Sequence, residues 1–136
     1  MDFLRSLSIA ASGLKAQAGR IRIISENIAN ADSTALKPGG DPYRRKIPTM
    51  DHKFERELEA QTVTMGRVRK DQKPFEMRHE PGHPAADRNG DVKYPNVNPL
   101  VEQMDMREAQ RSYEANLNVI SSTRRMLAKT LDILRI

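Results

Sequence analysis

The sequence predicts a mainly α protein whose long N- and C-terminal helices pair as a coiled coil, with a small, irregular β-rich middle segment. All eight prolines lie between Pro38 and Pro99. Proline lacks a backbone donor and clashes inside helices, so only the two ends are free to be long helices. Apolar residues also recur every seven positions in both ends. The expected parts are an N-terminal helix of the coiled-coil core (1–34), a proline-containing middle segment (35–97) and a C-terminal helix of that core (98–136).

The N-terminal helix carries an apolar row, here called the α1 heptad row, made of Leu7, Leu14, Ile21 and Ile28. A period of 3.5 residues presents such a row to a partner helix. Alanine and glycine are frequent around it and permit a close approach between helices. Each glycine costs about 1 kcal/mol in an isolated helix, so we expect this segment to need a partner.

The C-terminal helix carries a stronger row, here called the α2 heptad row: Met106, Tyr113, Ile120, Leu127 and Leu134. Leu117 and Leu131 belong to a second row, which Arg124 interrupts. Asn98 is a suitable N-cap because its side chain can accept a hydrogen bond from the first turn. Pro99 suits the first helical position.

The middle segment has extended and turn-forming sequence. Residues 41–48 are expected to be extended, residues 63–68 form a candidate strand, and Asn89-Gly90-Asp91 predicts a turn before a short strand at 92–94.

The charge pattern does not indicate a dense nucleic-acid-binding patch. The net charge is +5, but the 23 Lys and Arg are scattered among 18 Asp and Glu. The strongest basic cluster, Tyr43-Arg44-Arg45-Lys46, is interpreted as a solvated face in preference to a phosphate site. A basic coiled-coil nucleic-acid-binding protein is the alternative, and steep salt dependence of DNA binding would reveal it.

Catalytic and metal-binding patterns are weak. The chain has no cysteine, which excludes thiolate metal sites and cysteine nucleophiles. His79 and His83 are four apart, but Pro81 and Gly82 forbid the helix that would aim both rings at one ion. A metal-dependent hydrolase using these histidines is therefore disfavoured, and we expect no enzyme activity, no cofactor and no metal. Neither a signal peptide nor an apolar stretch of roughly 18 residues is evident.

The asparagines at the helix ends allow two interpretations. In one, Asn30 ends the first helix and Asn27 is exposed. In the other, both residues bond across a helix–helix contact and fix its register, as polar residues within an apolar row can. The physical argument leaves both open.

Several separated motifs resemble the rod and hook family of bacterial flagellar axial proteins, and within it the proximal rod proteins. These motifs, in order, are Ser12-Gly13-Leu14-Lys15-Ala16-Gln17, Asn27-Ile28-Ala29-Asn30-Ala31-Asp32-Ser33-Thr34, Pro38-Gly39-Gly40-Asp41-Pro42-Tyr43-Arg44-Arg45-Lys46, Gly82-His83-Pro84-Ala85-Ala86-Asp87, Tyr94-Pro95-Asn96-Val97-Asn98 and Tyr113-Glu114-Ala115-Asn116-Leu117-Asn118-Val119-Ile120. The resemblance covers nearly the whole chain. It departs at Ala35 and Leu36, where the family commonly has glycine and an aromatic residue.

The resemblance implies a structural role. Family members stack helically into the rod, the drive shaft that transmits motor torque for motility. The implied partners are copies of the chain, other rod proteins, rod-base adaptor and membrane-ring proteins, and the flagellar type III export apparatus, with no nucleic acid and no direct membrane insertion. The implied location is the basal-body rod in the periplasmic space, reached without a cleaved signal peptide. We predict these subunit-interface residues: Leu7, Leu14, Ile21, Asn27, Ile28, Asn30, Tyr113, Asn116, Leu117, Ile120, Leu127 and Leu131.

Overall fold

The computed structural model describes residues 2–135, in which two long helices enclose six short strands in the chain order. The elements are α1 (Phe3–Ala29), β1 (Lys46–Ile47), β2 (Met50–Glu55), β3 (Ala60–Met65), β4 (Arg69–Lys70), β5 (Glu76–His79), β6 (Asp91–Tyr94) and α2 (Pro99–Ile133). The strands form three antiparallel two-stranded sheets, which pair β1 with β4, β2 with β3 and β5 with β6.

The predicted fold class is wrong. Helices make up 46% of the chain, close to a mainly α fold, but the predicted coiled-coil pairing is not confirmed. The α1 heptad row is only half-buried, and the buried positions of α1 lie elsewhere: Ala10, Ala16, Ile23, Ile24 and Asn27. The middle of the chain is three small sheets rather than one irregular segment.

The described chain divides into two compact units, each assembled from separated segments. The first unit holds residues 2–21, 49–67 and 107–135, and the second holds residues 22–48 and 68–106. Each helix therefore contributes residues to both units. The predicted three-part division stays a prediction, and its end points, Met1 and Ile136, lie outside the described residues.

In the first unit, α1 contacts α2 through small and polar residues. A Cβ added at Gly13 would lie only 2.8 Å from Asn116 Nδ2, so the two helices approach closely there. Arg20 NH2 lies 3.6 Å from Glu108 Oε2. These α1 residues precede members of the α1 heptad row by one position, which is about 100° around a helix. The predicted contact with α2 used Leu14 and Ile21, whereas the observed contact uses the preceding residues, Gly13 and Arg20. Glycine allows the two helices to approach more closely than leucine would.

The hairpin of β2 and β3 packs on another side of α1 in the same unit. Ser12 Oγ accepts a hydrogen bond from Val63 N at 3.2 Å. A side chain at Gly19 would overlap Met65 Sδ, so the helix backbone and the strand side chain are in tight contact. A helix covered by both a hairpin and a second helix buries a wider surface than a coiled coil would.

In the second unit, the β5–β6 hairpin contains the predicted turn at Asn89-Gly90-Asp91. Gly90 has φ +83°, a left-handed conformation that glycine adopts without steric cost. Gly90 N donates to Asp87 O at 3.1 Å, and β6 begins at the next residue. This turn prediction is confirmed.

The start of α2 is also as predicted. Asn98 Oδ1 accepts a hydrogen bond from Leu100 N at 3.1 Å, and Pro99 is the first helical residue. Asn98 is therefore the N-cap. Within residues 2–135, no helix combines the length and the apolar character that crossing a membrane requires.

Candidate functional site

Asn27 is fully buried in the second unit and makes four hydrogen bonds. Its Nδ2 donates to Lys46 O at 2.8 Å and to Glu102 Oε2 at 3.1 Å. Its Oδ1 accepts from Lys46 N at 2.9 Å and from Tyr43 OH at 2.8 Å. A carboxamide has two donors and two acceptor lone pairs, so its capacity is filled. The interpretation of Asn27 as an exposed residue is wrong, since it bonds to the first turn of α2.

Glu102 is the carboxylate at the centre of this buried polar site and is 1% exposed. Arg45 Nε donates to Glu102 Oε1, and Arg45 NH1 lies 3.5 Å from Asp71 Oδ2. A buried charge is tolerated only when it is paired and hydrogen-bonded, and both conditions are met here. Burial by itself would lower the pKa of Arg45, but the hydrogen bond and charge of Glu102 raise the pKa above its usual value.

Tyr43 belongs to the site through the hydrogen bond that its hydroxyl group donates to Asn27. Burial raises the pKa of Tyr43 to about 12, and the negative charges of Glu26 and Glu102 add to this increase. The phenol therefore stays protonated and serves as a hydrogen-bond donor to Asn27 at ordinary pH.

The basic cluster at residues 43–46 is not the solvated face that was expected. Arg44 NH1 donates to Asp71 O at 2.8 Å and to Lys73 O at 3.1 Å. Arg45 N donates to Asn96 Oδ1 at 2.8 Å. The positively charged side chains of the cluster bond to carbonyl and carboxylate groups of the same unit, and these contacts stabilise it.

Sequence reasoning missed three members of this site: Asp71, Asn96 and Glu102. Three of the motifs that carry the family resemblance meet here: Asn27 begins one, Tyr43 and Arg45 belong to the next, and Asn96 belongs to a third. The motifs mark the site, but no spacing in the sequence indicates that they are in contact.

Asn30 has a local role at the end of α1. Its Nδ2 donates to Glu26 O at 2.8 Å, and its Oδ1 accepts from Ser33 Oγ at 3.1 Å. Asn116, in the first unit, is half-buried against Gly13. A contact of Asn30 or Asn116 with another subunit stays a prediction.

The apolar interface residues predicted on the helices are half-buried or exposed. Those that are half-buried are Leu7, Leu14, Ile21, Ile28, Tyr113 and Ile120. Leu117, Leu127 and Leu131 are 47%, 37% and 55% exposed. The structure therefore leaves apolar surface available at most of the predicted positions.

Residues 124–135, which include the last part of α2 and the two residues after it, are here called the exposed tail, because every side chain in this range is exposed. It carries five large apolar residues: Met126, Leu127, Leu131, Ile133 and Leu134. Leu127, Leu131 and Leu134 share one face of the helix by their spacing, while Met126 and Ile133 are seven apart on another.

An apolar hollow of about 620 Å³ lies beside the exposed tail in the first unit. Its lining residues are Asp2, Phe3, Leu4, Leu7 and Leu127. Two predicted interface residues, Leu7 and Leu127, thus border one depression at the start of α1.

The two histidines considered as metal ligands, His79 and His83, make hydrogen bonds to different partners. His79, at the end of β5, places Nδ1 2.9 Å from Asp91 Oδ1. His83 Nδ1 accepts from Ala85 N at 3.0 Å. Among residues 2–135, no three His, Asp or Glu side chains are grouped so as to hold a metal ion.

Two family models match the chain at its two ends. Residues 7–35 match the model described as flagella basal body rod protein. Residues 88–133 match the model described as flagellar basal body rod FlgEFG protein C-terminal. Both descriptions define the class of flagellar basal-body rod proteins.

Three full-length relatives, each described as flagellar basal-body rod protein FlgC, narrow this class. The relative from Agrobacterium fabrum is 51% identical, and the match covers 99% of this chain and 98% of the relative. The relative from Salmonella typhimurium is 38% identical, with 98% of each chain covered. The Bacillus subtilis relative is 36% identical, with coverage of 98% and 99%. The chain belongs to the FlgC family of flagellar basal-body rod proteins.

The resemblance identified from the sequence motifs is thereby confirmed. The protein is a structural subunit of the flagellar rod, located in the basal body, and it assembles with other rod proteins. The comparisons give no support to the alternative of a nucleic-acid-binding protein.

Proposed function

We propose that this subunit polymerises helically into the drive shaft that transmits motor torque, and that its exposed tail is a principal assembly surface. The observation that carries this proposal is the continuous exposure of residues 124–135, with five large apolar side chains among them. Contiguous exposed apolar surface in a folded chain marks an interaction site.

The apolar residues of the tail occupy two faces, and this arrangement suits a helix enclosed by neighbours. Leu127, Leu131 and Leu134 form one face, and Met126 and Ile133 form the other. A helix that is apolar on more than one side is normally buried. Contacts of this kind between unlike surfaces of successive subunits extend an open helical assembly instead of closing a dimer.

The half-buried α1 heptad row is the second part of the proposed interface. Each residue of this row is half-buried, so part of its side chain contacts solvent; the four residues are Leu7, Leu14, Ile21 and Ile28. Contact with a neighbouring subunit would remove this surface from water, at about 25 cal/mol for each Å² of apolar area. In this proposal the helical ends, 1–34 and 98–136, assemble, while the middle segment, 35–97, determines which neighbour binds.

The further partners follow from the proposed place in the rod. They are copies of this chain, the other rod proteins, rod-base adaptor and membrane-ring proteins, and the flagellar type III export apparatus. The proposed location is the periplasmic space, and the proposed role needs no catalysis, cofactor, nucleic acid or membrane insertion. The structural role of the family supports this proposal.

The test replaces one tail leucine by a charge. Leu131→Asp should abolish swimming and reduce the amount of the chain in purified basal bodies at least about tenfold, because a carboxylate cannot be buried unpaired. Lys129→Asp is the matched control, since it places a new carboxylate on another side of the same helical turn. Both variants are expressed in cells that lack the native chain, and immunoblots of basal bodies give the incorporation. Normal incorporation of Leu131→Asp would contradict the proposal.

A further inference from the structure

Leu36 is the most exposed large apolar residue in the part of the chain that the structure describes, with 100% of its surface accessible. It lies in the loop after α1, and this loop is held in a defined shape. Gly40 N donates to Lys37 O at 3.1 Å, and Gly39 N donates to Ala85 O at 3.2 Å. Gly39 has φ +70°, which only glycine adopts cheaply. The loop therefore presents Leu36 as a fixed apolar projection on the second unit.

The hollow on the first unit has the complementary character. Leu4, Leu7 and Leu127 supply leucine side chains, Phe3 supplies an aromatic ring, and Leu4 is 68% exposed. At about 620 Å³ the hollow is large enough for a leucine side chain together with part of the loop that carries it. One chain thus has both an apolar projection and an apolar depression.

Charges beside the two features are also complementary. Asp2 lines the hollow, and Arg5 NH2 and Nε lie 3.3 and 3.5 Å from carboxylate oxygens of Glu59 and Asp2 respectively. The side chain of Asp2 is 55% exposed, so its carboxylate remains accessible to a further cation. Lys37 follows Leu36 directly and is exposed, and residues 35–40 contain no acidic side chain.

We propose that Leu36 of one subunit inserts into the hollow of a second copy, with Lys37 beside Asp2 of that copy. The proposal rests on the proposed function, assembly through exposed apolar surfaces, and names one contact within it. The projection and the hollow are different surfaces, so each copy keeps one free site after pairing. Such a heterologous contact propagates from copy to copy.

The absence of cysteine from the chain permits a clean cross-linking test. Leu36→Cys and Leu4→Cys are made in two copies with different epitope tags and expressed together. Basal bodies are isolated and treated with a short bismaleimide. The expected product carries both tags, in a yield at least about tenfold above that of the control pair Leu4→Cys with Met77→Cys, since Met77 is exposed but belongs to neither feature. A chain with both substitutions at 36 and 4 should give a ladder longer than a dimer.

A yield no greater than that of the control pair, with both tags present in the basal bodies, would overturn this contact and leave the proposed function intact. Absence of the unchanged tagged chain from basal bodies would instead contradict the proposed function. A product that stops at the dimer for the doubly substituted chain would also overturn the proposal, because it indicates a closed contact.

Discussion

The interior of the second unit contains buried polar side chains, whereas the exposed tail of the first unit contains exposed apolar ones. Asn27 and Glu102 are 0% and 1% exposed, whereas Leu131 and Leu134 are 55% and 75% exposed. A protein that acts alone normally buries its leucines and leaves its amides and carboxylates in water. The second unit buries these polar groups together with apolar side chains such as Ile24 and Val92, whereas the tail leaves its large apolar side chains exposed. In the assembly proposed above, folding and assembly depend on different residues.

The largest expected effect is on the polar interior. Glu102→Ala leaves Arg45 without its main partner and Asn27 Nδ2 without one acceptor, and should lower the free energy of unfolding by about 3–5 kcal/mol. Glu108→Ala is the matched control, since Glu108 pairs with Arg20 at an exposed position and should cost less than about 1 kcal/mol. Urea unfolding followed by circular dichroism measures both. Equal effects would show that the buried pair does not stabilise the fold.

A smaller effect should appear in alkali, through Tyr43. Its folded-state pKa is about 12, above the ordinary value of 10, so its contribution to stability is complete below pH 10 and is lost as the pH rises from 10 to 12. The loss should be about 2 kcal/mol at most, since each pKa unit corresponds to about 1.4 kcal/mol and Tyr43 is only partly buried. Unfolding free energies at pH 9 and pH 11.5 measure it.

Tyr43→Phe should flatten this dependence on pH while costing about 1 kcal/mol at pH 7 through its lost hydrogen bond to Asn27. Tyr113→Phe, on α2, should keep the dependence of the unchanged protein. If Tyr43→Phe shows the same decline as the unchanged protein, Tyr43 is not its source.

The smallest expected effect on stability belongs to the exposed tail. Leu131→Ser should change the free energy of unfolding of the separate chain by less than about 0.5 kcal/mol, because its side chain is exposed. The same urea titration provides the measurement. A loss of about 2 kcal/mol would mean that the tail is packed within the chain, and the contrast with the polar interior would fail.

The sequence was sufficient to predict the elements that depend on local signals. Both helices were predicted because all prolines lie in the middle of the chain, and the first turn of α2 was predicted from Asn98 and Pro99. The face of α1 that contacts α2 was predicted incorrectly, because the heptad pattern considers only apolar residues and the observed contact is made by a glycine and an arginine. Which row meets α2 depends on Gly13 and Arg20, whose partners lie about 90 to 100 residues away. No local pattern contains that information.

The buried polar site was missed for a related reason. Arg45 and Glu102 are separated by 57 residues, and each belongs to a residue type that is usually solvated. Their pairing is visible only when α1, the segment before β1 and the start of α2 are brought together. Leu127 and Leu131 were predicted as interface residues from their spacing, and this stays a prediction. No local pattern indicated that every side chain of residues 124–135 is exposed.

The contact between Gly19 and Met65 links two distant positions in the history of this protein. Any side chain at position 19 would occupy space that Met65 already fills, and 45 residues separate them in the sequence. The atom in contact is the far end of a flexible methionine side chain, so a small residue at position 19 requires Met65 either to turn aside or to be replaced by a shorter side chain. Among related chains, an alanine or serine at position 19 should therefore be found more often with a shorter side chain at position 65 than glycine is.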